Sequence, residues 1–423
     1  MTIPKGPASL WRHRDFMLLW GGQTVSEIGS AVTVLALPLL AVVALNATPF
    51  QTGLLKAASG LAFLLVALPA GVLVDRYAKR RLMLWCDVAR AAVVGLVPLL
   101  WWWGQLEMWQ LYVIVAVAGV LTVFFDVAYQ SYLPHLLRHD QLVDANGKMG
   151  STQYFAYVSG TGLGGAVAAV VGVARAVAVD ALSFLASAVT LALIRVPEEP
   201  PVKERAERRM RAEIAEGLSF VFRHPVLRRI VACTASSNLG ISIAEAVDMI
   251  FIVRVLKVQS GYVGLLLACA TVGGIVGGIV AGRIGARFGT ARMIWASFAC
   301  CGWTGLLVPL AQPGWQVGLY AIGWSIFSAT AVVYNTGQLS FRQAVCPPEL
   351  LGRMNASVRW LIWGINPLGA LLGGALGTWI GIRPTLWIAM ACVWSSGLWV
   401  YFSPLRHMRD VPTPGTAAPV DVG

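Results

Sequence analysis

Charge is scarce in this chain: only 12% of its 423 residues are Asp, Glu, Lys or Arg, against 57% hydrophobic. A set of soluble domains carries about twice that share of charge on its surfaces and is excluded. Cysteine is sparse as well. The seven, Cys86, Cys233, Cys269, Cys300, Cys301, Cys346 and Cys392, lie mostly inside apolar stretches without metal-ligand spacing. They read as small hydrophobes, not as disulfides or ligands. No H-E-x-x-H, G-x-S-x-G or G-x-x-x-x-G-K-[ST] string occurs. A membrane enzyme and a nucleotide-driven pump are thereby disfavoured, and neither a cofactor nor a metal is expected. Gly160-Thr-Gly-Leu-Gly-Gly165 satisfies the dinucleotide-binding string, but it lies within an apolar run with no strand before it. His135 and His139 stand four apart without further ligands.

What the chain has instead is long apolar runs, reflected in a mean hydropathy of +0.70. Each run approaches the ~20 residues that cross ~30 Å of hydrocarbon. They fall near 15–45, 50–75, 82–103, 108–132, 149–172, 176–195, 227–253, 260–283, 291–311, 314–338, 354–381 and 384–402. The expected fold is therefore an all-α membrane protein of twelve transmembrane helices. Of the 32 Lys and Arg, only Arg175, Arg254, Lys257 and Arg383 fall in loops of one parity, and Lys56, Arg90 and Arg359 fall within spans. The basic loops are cytoplasmic by the positive-inside rule, which puts both termini inside. That asymmetry, not nucleic-acid binding, accounts for the net charge of +12. Lys5, Arg12, His13 and Arg14 lead straight into the first run, so an uncleaved first helix is expected.

The chain repeats itself. A shift of 211 residues lays Gly53-Leu-Leu on Gly264-Leu-Leu, Arg76 on Arg287 and Gly29 on Gly240; a shift of 209 lays Gly160, Gly164 and Gly165 on Gly369, Gly373 and Gly374. Two parallel halves of six helices follow. The expected division is a half at 1–196, a charged cytoplasmic linker at 197–224 with a surface helix near Arg208–Phe222, a second half at 225–403, and a disordered cytoplasmic tail at 404–423.

These residues resemble the major facilitator superfamily along nearly the whole chain. Within it the chain looks most like the third drug:proton antiporter group, which includes macrolide and enterobactin exporters. The strongest match is Gly71-Val-Leu-Val-Asp75-Arg76-Tyr-Ala-Lys79-Arg80-Arg81, the superfamily's signature loop, with Ala78 where Gly is usual. Its counterpart at Gly282–Arg292 keeps Arg287 but has Ala286 opposite Asp75. Asp87-Val-Ala-Arg90, Phe125-Asp126, Asp180-Ala-Leu-Ser183 and Gly352-Arg353-Met-Asn355 also look like this group. Thr161 departs from its antiporter motif, where Pro is usual, and span 4 lacks the embedded Arg of other drug antiporter groups. The resemblance implies the major facilitator fold of two pseudo-symmetric halves and an alternating-access exporter. Its signature-loop contacts (Gly71, Asp75, Arg76, Arg80, Arg287) would hold the cytoplasmic side closed.

Charges inside a membrane are costly and mark candidate sites. Glu27, Asp126, Glu245 and Asp248 are the acids within spans 1, 4 and 7, three of the four spans that line the cavity in the resembling family. At 1.5 Å per residue Glu27 lies ~18 Å in from the cytoplasm, near mid-membrane. These acids are the candidates for binding protons and a cationic substrate. Trp324, Tyr334 and Gln338 in span 10 are candidates to face the cavity and stack on substrate. Asp87, Arg90, Asp180, Arg353 and Arg359 are expected in structural or gating pairs. Lys56, at the outer end of span 2, is expected to snorkel. Small residues four apart, Gly160/Gly164, Gly274/Gly278/Gly282 and Gly369/Gly373/Gly377, are expected to seat close helix crossings. Trp101, Trp102, Trp103 and Trp109 suit an aromatic belt at one interface. The functional expectation is efflux of a drug, siderophore or other apolar or amphipathic metabolite across the bacterial plasma membrane. The proton motive force supplies the energy, and the protein acts as a monomer among membrane lipids. A facilitator or importer of the same fold, or a non-transporting receptor or scaffold, are the alternatives.

Overall fold

The structure is a computed structural model, and it describes residues 10–74, 77–138, 141–196, 216 and 218–410. The helices are α1 (Arg14–Val43), α2 (Pro49–Val74), α3 (Lys79–Trp102), α4 (Met108–Leu136), α5 (Leu142–Val171), α6 (Val173–Leu193), α7 (Leu227–Ile250), α8 (Ser260–Phe288), α9 (Thr290–Cys301), α10 (Leu307–Leu310), α11 (Val317–Val345), α12 (Pro348–Gly364), α13 (Asn366–Trp379) and α14 (Ile382–Tyr401). Nine helical segments among the described residues are long and apolar enough to cross a membrane. The chain is a multi-pass membrane protein, and its helix order is consistent with twelve crossings: α9 and α10 make one, α12 and α13 another.

The departures from the hydropathy boundaries have physical causes. α4 runs on to Leu136, α11 to Val345, and α5 begins at Leu142. These extra turns are polar enough to leave the apolar window while still helical. Span 9 is interrupted by a 3-10 stretch at Gly302–Leu306, and span 11 breaks before Asn366-Pro367, whose ring cannot continue the helical bonding. A π turn, Phe251–Val255, ends α7. Single glycines turn the chain where adjacent helices nearly abut. Gly172 (φ +90°) separates α5 from α6, and Gly381 (φ +91°) separates α13 from α14. They are 209 residues apart, the spacing of the second repeat.

The chain divides into two compact units. Unit 1 holds 1–47, 58–205 and 259–268; unit 2 holds 48–57, 206–258 and 269–423. The start of α2 thus belongs to unit 2, and the start of α8 to unit 1. In unit 1, α1 packs on α5 and α6, and α3 on α4 and α6. Phe16, Met83, Phe125, Tyr132 and Leu191 are among the buried side chains at its core. In unit 2, α7 packs on α13 and α14, and α9 on α11. That core includes Ile230, Ile294, Phe298, Tyr334 and Phe341. Outward faces stay greasy: Leu65 is 63% exposed, Ile279 62% and Val170 84%, as a lipid-facing surface requires and an aqueous one does not tolerate.

The expected tail begins later than Pro404. Pro404–His407 form a 3-10 turn capped by Ser403, and Leu405 is fully buried. Arg409 O then accepts from Ala291 N at 3.1 Å and from Arg292 N at 3.4 Å, and Asp410 Oδ1 accepts from Thr290 N at 3.2 Å. Three N-terminal amides of α9 are satisfied in this way. Gly289 makes the approach possible, since a Cβ there would stand 2.1 Å from Arg409 O. Residues 411–423, and the linker apart from 216 and 218–223, lie outside the described residues. Residues 218–223 are helical.

Candidate functional site

In unit 1 the polar groups gather where α1, α3, α4, α5 and α6 meet. Gln23, one turn before Glu27 on α1, donates from Nε2 to Glu27 Oε1 at 3.1 Å, and Gln153 of α5 lies near that carboxyl. Asp126 on α4 is exposed. Asp87 and Arg90 sit one turn apart on α3, are 0% and 4% exposed, and bond through Arg90 Nη2 and Asp87 Oδ1. The guanidinium is held between the rings of Phe125 and Phe184, 4.3 Å from each, and Nη1 donates to Thr122 Oγ1 at 3.3 Å. An arginine so held is a fixed charge, not a mobile one. Asp180 takes no arginine as hydrogen-bond partner: Ser30 Oγ donates to it at 3.1 Å and Ser183 Oγ at 3.2 Å, which joins α6 to α1. Gly29 permits that junction, because a Cβ there would lie 2.2 Å from Ser183 Oγ.

In unit 2 the two acids of α7 take separate partners. Glu245 Oε2 pairs with Lys56 Nζ at 2.9 Å, both side chains being nearly half exposed. Lys56 therefore does not simply snorkel. Thr52, one turn earlier on α2, donates to Ala246 O at 2.7 Å, and Gly53 rests on Gly374. Asp248 accepts from Tyr320 Oη at 2.7 Å, and its Oδ1 is buried without a hydrogen-bond partner.

Span 10 departs from expectation. Tyr334 is 4% exposed and belongs to the core. Its hydroxyl meets Thr234 Oγ1 at 2.8 Å and donates to Ile230 O at 3.2 Å, and its ring stands edge-on to Phe298. Gln338, equally buried, donates to Asn335 Oδ1 and accepts from Arg342, which also bonds Asn355. Neither side chain is free to stack on a substrate. Trp324 is half-buried, edge-on to Phe327, with its indole N–H unpartnered. Arg342 went unnoticed in the sequence because the apolar run ends at 338; the signal was the continued i, i+4 spacing of Gln338 and Arg342.

Arg80 donates to Ile194 O and so ties the start of α3 to the end of α6. Arg287 is exposed and lies over Phe288. Arg359 lies 4.5 Å from the Trp363 ring centroid. Asp75, Arg76 and His139 lie outside the described residues. Gly71 and Arg353 are placed in α2 and α12 as backbone only.

The glycine crossings are real but not all in the expected register. Gly160 meets Ala31, Gly164 meets Val32, and Gly165 meets Gly264. Gly369, Gly373 and Gly377 lie against α7. On α8, however, the tight positions are Gly273 and Gly277, facing Ser325 and Ala329 of α11, while Gly274 and Gly278 have only ordinary contacts at 3.8 and 4.0 Å and Gly282 is open.

The family model described as Major Facilitator Superfamily matches residues 19–365. Macrolide efflux protein A of Streptococcus pyogenes is 22% identical over 379 residues, covering 88% of this chain and 91% of that protein. The multidrug efflux pump Tap of Mycolicibacterium fortuitum is 26% identical over 389 residues, covering 88% and 92%. Among solved structures, a mutant of the nucleoside transporter NupG superposes with a TM-score of 0.75 at 10% identity, covering 92% of this chain and 99% of that one. A bacterial homologue of the iron transporter ferroportin, in an inward-facing state, gives 0.69 at 14% identity, covering 93% and 99%.

Proposed function

This chain belongs to the Major Facilitator Superfamily and is a transporter, not an enzyme, and from that premise we propose that it exports an apolar or amphipathic small molecule, a drug, siderophore or other metabolite, from the cytoplasm. The observation that carries export is near full-length similarity to two efflux proteins, one named for macrolides and one for several drugs. The membrane is the bacterial plasma membrane, with both termini inside, as the Lys and Arg distribution requires.

The cycle is alternating access driven by protons flowing inward. Glu27 is the leading proton carrier of the four acids. It sits near mid-span on α1, and its carboxyl accepts from the neutral amide of Gln23, with that of Gln153 nearby. Amides can serve a carboxyl in either protonation state, donating to an anion or accepting from an acid O–H. Glu245, by contrast, already has Lys56 as a counter-charge, which suits a positional role. The two rings that flank Arg90 hold its guanidinium in place.

In inside-out vesicles, substrate uptake should require a proton gradient and stop with an uncoupler. Glu27→Gln should abolish the pH dependence of uptake while the protein still inserts and folds. Uptake that survives the uncoupler would refute proton coupling. Net substrate movement only in the opposite direction would favour the importer reading, which Thr161 keeps in play.

A further inference from the structure

The 211-residue repeat extends beyond the spans themselves: Trp11-Arg12-His13 lies over Phe222-Arg223-His224. Each histidine ring accepts backbone amides at the start of a helix within its own unit, His13 as the N-cap of α1 and His224 two residues before Val226, the N-cap of α7. His13 Nδ1 accepts from Phe16 N–H at 3.1 Å, and its carbonyl accepts from Met17 N–H at 3.0 Å. His224 stands before α7. Its Nδ1 accepts from Val226 N–H at 3.3 Å and from Leu227 N–H at 3.2 Å, and its carbonyl accepts from Arg228 N–H at 3.1 Å. Caps are ordinarily Ser, Thr, Asp or Asn, whose oxygens accept at any working pH. An imidazole nitrogen accepts only while it carries no proton.

We propose that His13 and His224 form a matched pair of proton-sensitive caps that release the first turns of α1 and α7 together when the cytoplasm acidifies. Placement of both rings in the cytoplasm rests on the orientation proposed above; the capping itself does not. Protonation acts twice, because it removes the acceptor and sets a cation at the positive end of the helix dipole. Burial against the rings of Phe220 and Phe341, 6.4 and 6.2 Å away, holds His224 below the ordinary imidazole range. Folding therefore favours the neutral ring. The stability it contributes is complete above the ordinary value of about 6.5 and is lost as pH falls below it.

The neighbouring charged groups have other engagements. Beside His13, Arg14 lies 3.7 Å from Asp15, and Lys148 of α5, over Trp11, pairs with Asp144 at 2.5 Å. Beside His224, Arg223 and Arg228 are exposed, Arg229 donates to Phe402 O, and Arg342 of α11 bonds Gln338 and Asn355. Glu216 lies on the preceding helical segment, and Cys346 ends α11. Among the described residues, the hydrogen bonds to both rings come from backbone alone.

The test is amide exchange on the purified full-length protein at about pH 7.5 and about pH 5.5, either side of the imidazole value. Rates are corrected for the intrinsic pH dependence of exchange. Protection at Phe16, Val226 and Leu227 should fall roughly 5-fold at the lower pH, the equivalent of a cap of about 1 kcal/mol. The double variant His13→Asn/His224→Asn should keep its protection at both. Each single variant should retain protection only on its own helix, which serves should the double variant fold poorly. Equal wild-type protection at both pH values, or loss of protection at a helix whose histidine is already Asn, would overturn the proposal. None of these readouts needs transport, so they stand apart from the export reading.

Discussion

Gly273→Ala and Gly274→Ala are neighbours on α8, and the structure gives them opposite outcomes. An ideal Cβ on Gly273 falls 1.6 Å from Ser325 O of α11 and 2.4 Å from that carbonyl's carbon. Both obstacles are backbone, so no rotamer change relieves them. Reaching an ordinary contact of 3.4 Å requires the helices to part by 3.4 − 1.6 = 1.8 Å at that point. Overpacking of this kind costs about 1–3 kcal/mol. The same Cβ on Gly274 finds its nearest neighbours, side chains of Ser328 and Val332, at 3.8 Å. Both substitutions gain helix propensity of about 1 kcal/mol, so that gain cancels in the comparison and the difference isolates the clash. Gly274→Ala should therefore be as stable as the wild type or slightly more so, and Gly273→Ala less stable than Gly274→Ala by about 1–3 kcal/mol. Thermal unfolding of the two purified proteins in one detergent measures this directly. Equal stability, or the reverse order, would mean that Gly273 does not face α11.

Other perturbations follow from the same geometry. Gly289→Ala places a side chain at φ +96° and against Arg409 O. It should undock residues 409–410, seen as faster labelling of a cysteine introduced at Asp410. Lys56→Glu should impair transport and Lys56→Glu with Glu245→Lys restore it. The pair is nearly half exposed, so its loss should cost under about 1 kcal/mol in stability. Arg90→Lys keeps the charge but loses the planar stacking on Phe125 and Phe184. It should lower melting temperature and expression, with Arg90→Gln lower still because Asp87 would be left buried without a cation.

Much of the fold was legible because lipid imposes long apolar runs and a basic inner face, signals that survive without any knowledge of packing. The repeat was legible because glycine cannot be exchanged where backbones touch: Gly53 on Gly374 and Gly165 on Gly264 are two crossings related by the two shifts. The facing side of α8 was not legible. Its glycines come in adjacent pairs, Gly273-Gly274 and Gly277-Gly278, and nothing in a four-residue spacing says which member of each pair turns inward. The facing of Tyr334 and Gln338 is illegible for a similar reason. An aromatic or amide in a cavity-lining span looks the same whether it faces the cavity or the helices behind it, and only the partners, Thr234, Phe298 and Arg342, decide. The two histidines match in the 211-residue shift but lie just outside the apolar runs, and sequence alone does not show that their rings accept backbone amides. Lys56 and Glu245 are each ordinary in sequence, 189 positions apart, and only folding makes them a pair.

The contact between Asp410 and Thr290 has a consequence for biogenesis. The two residues are 120 positions apart, so α9 is made long before the group that completes its first turn. At synthesis rates of about 5–20 residues per second, the delay is roughly 6–24 s. During that interval three amides at the membrane edge must be kept hydrated or held by something else.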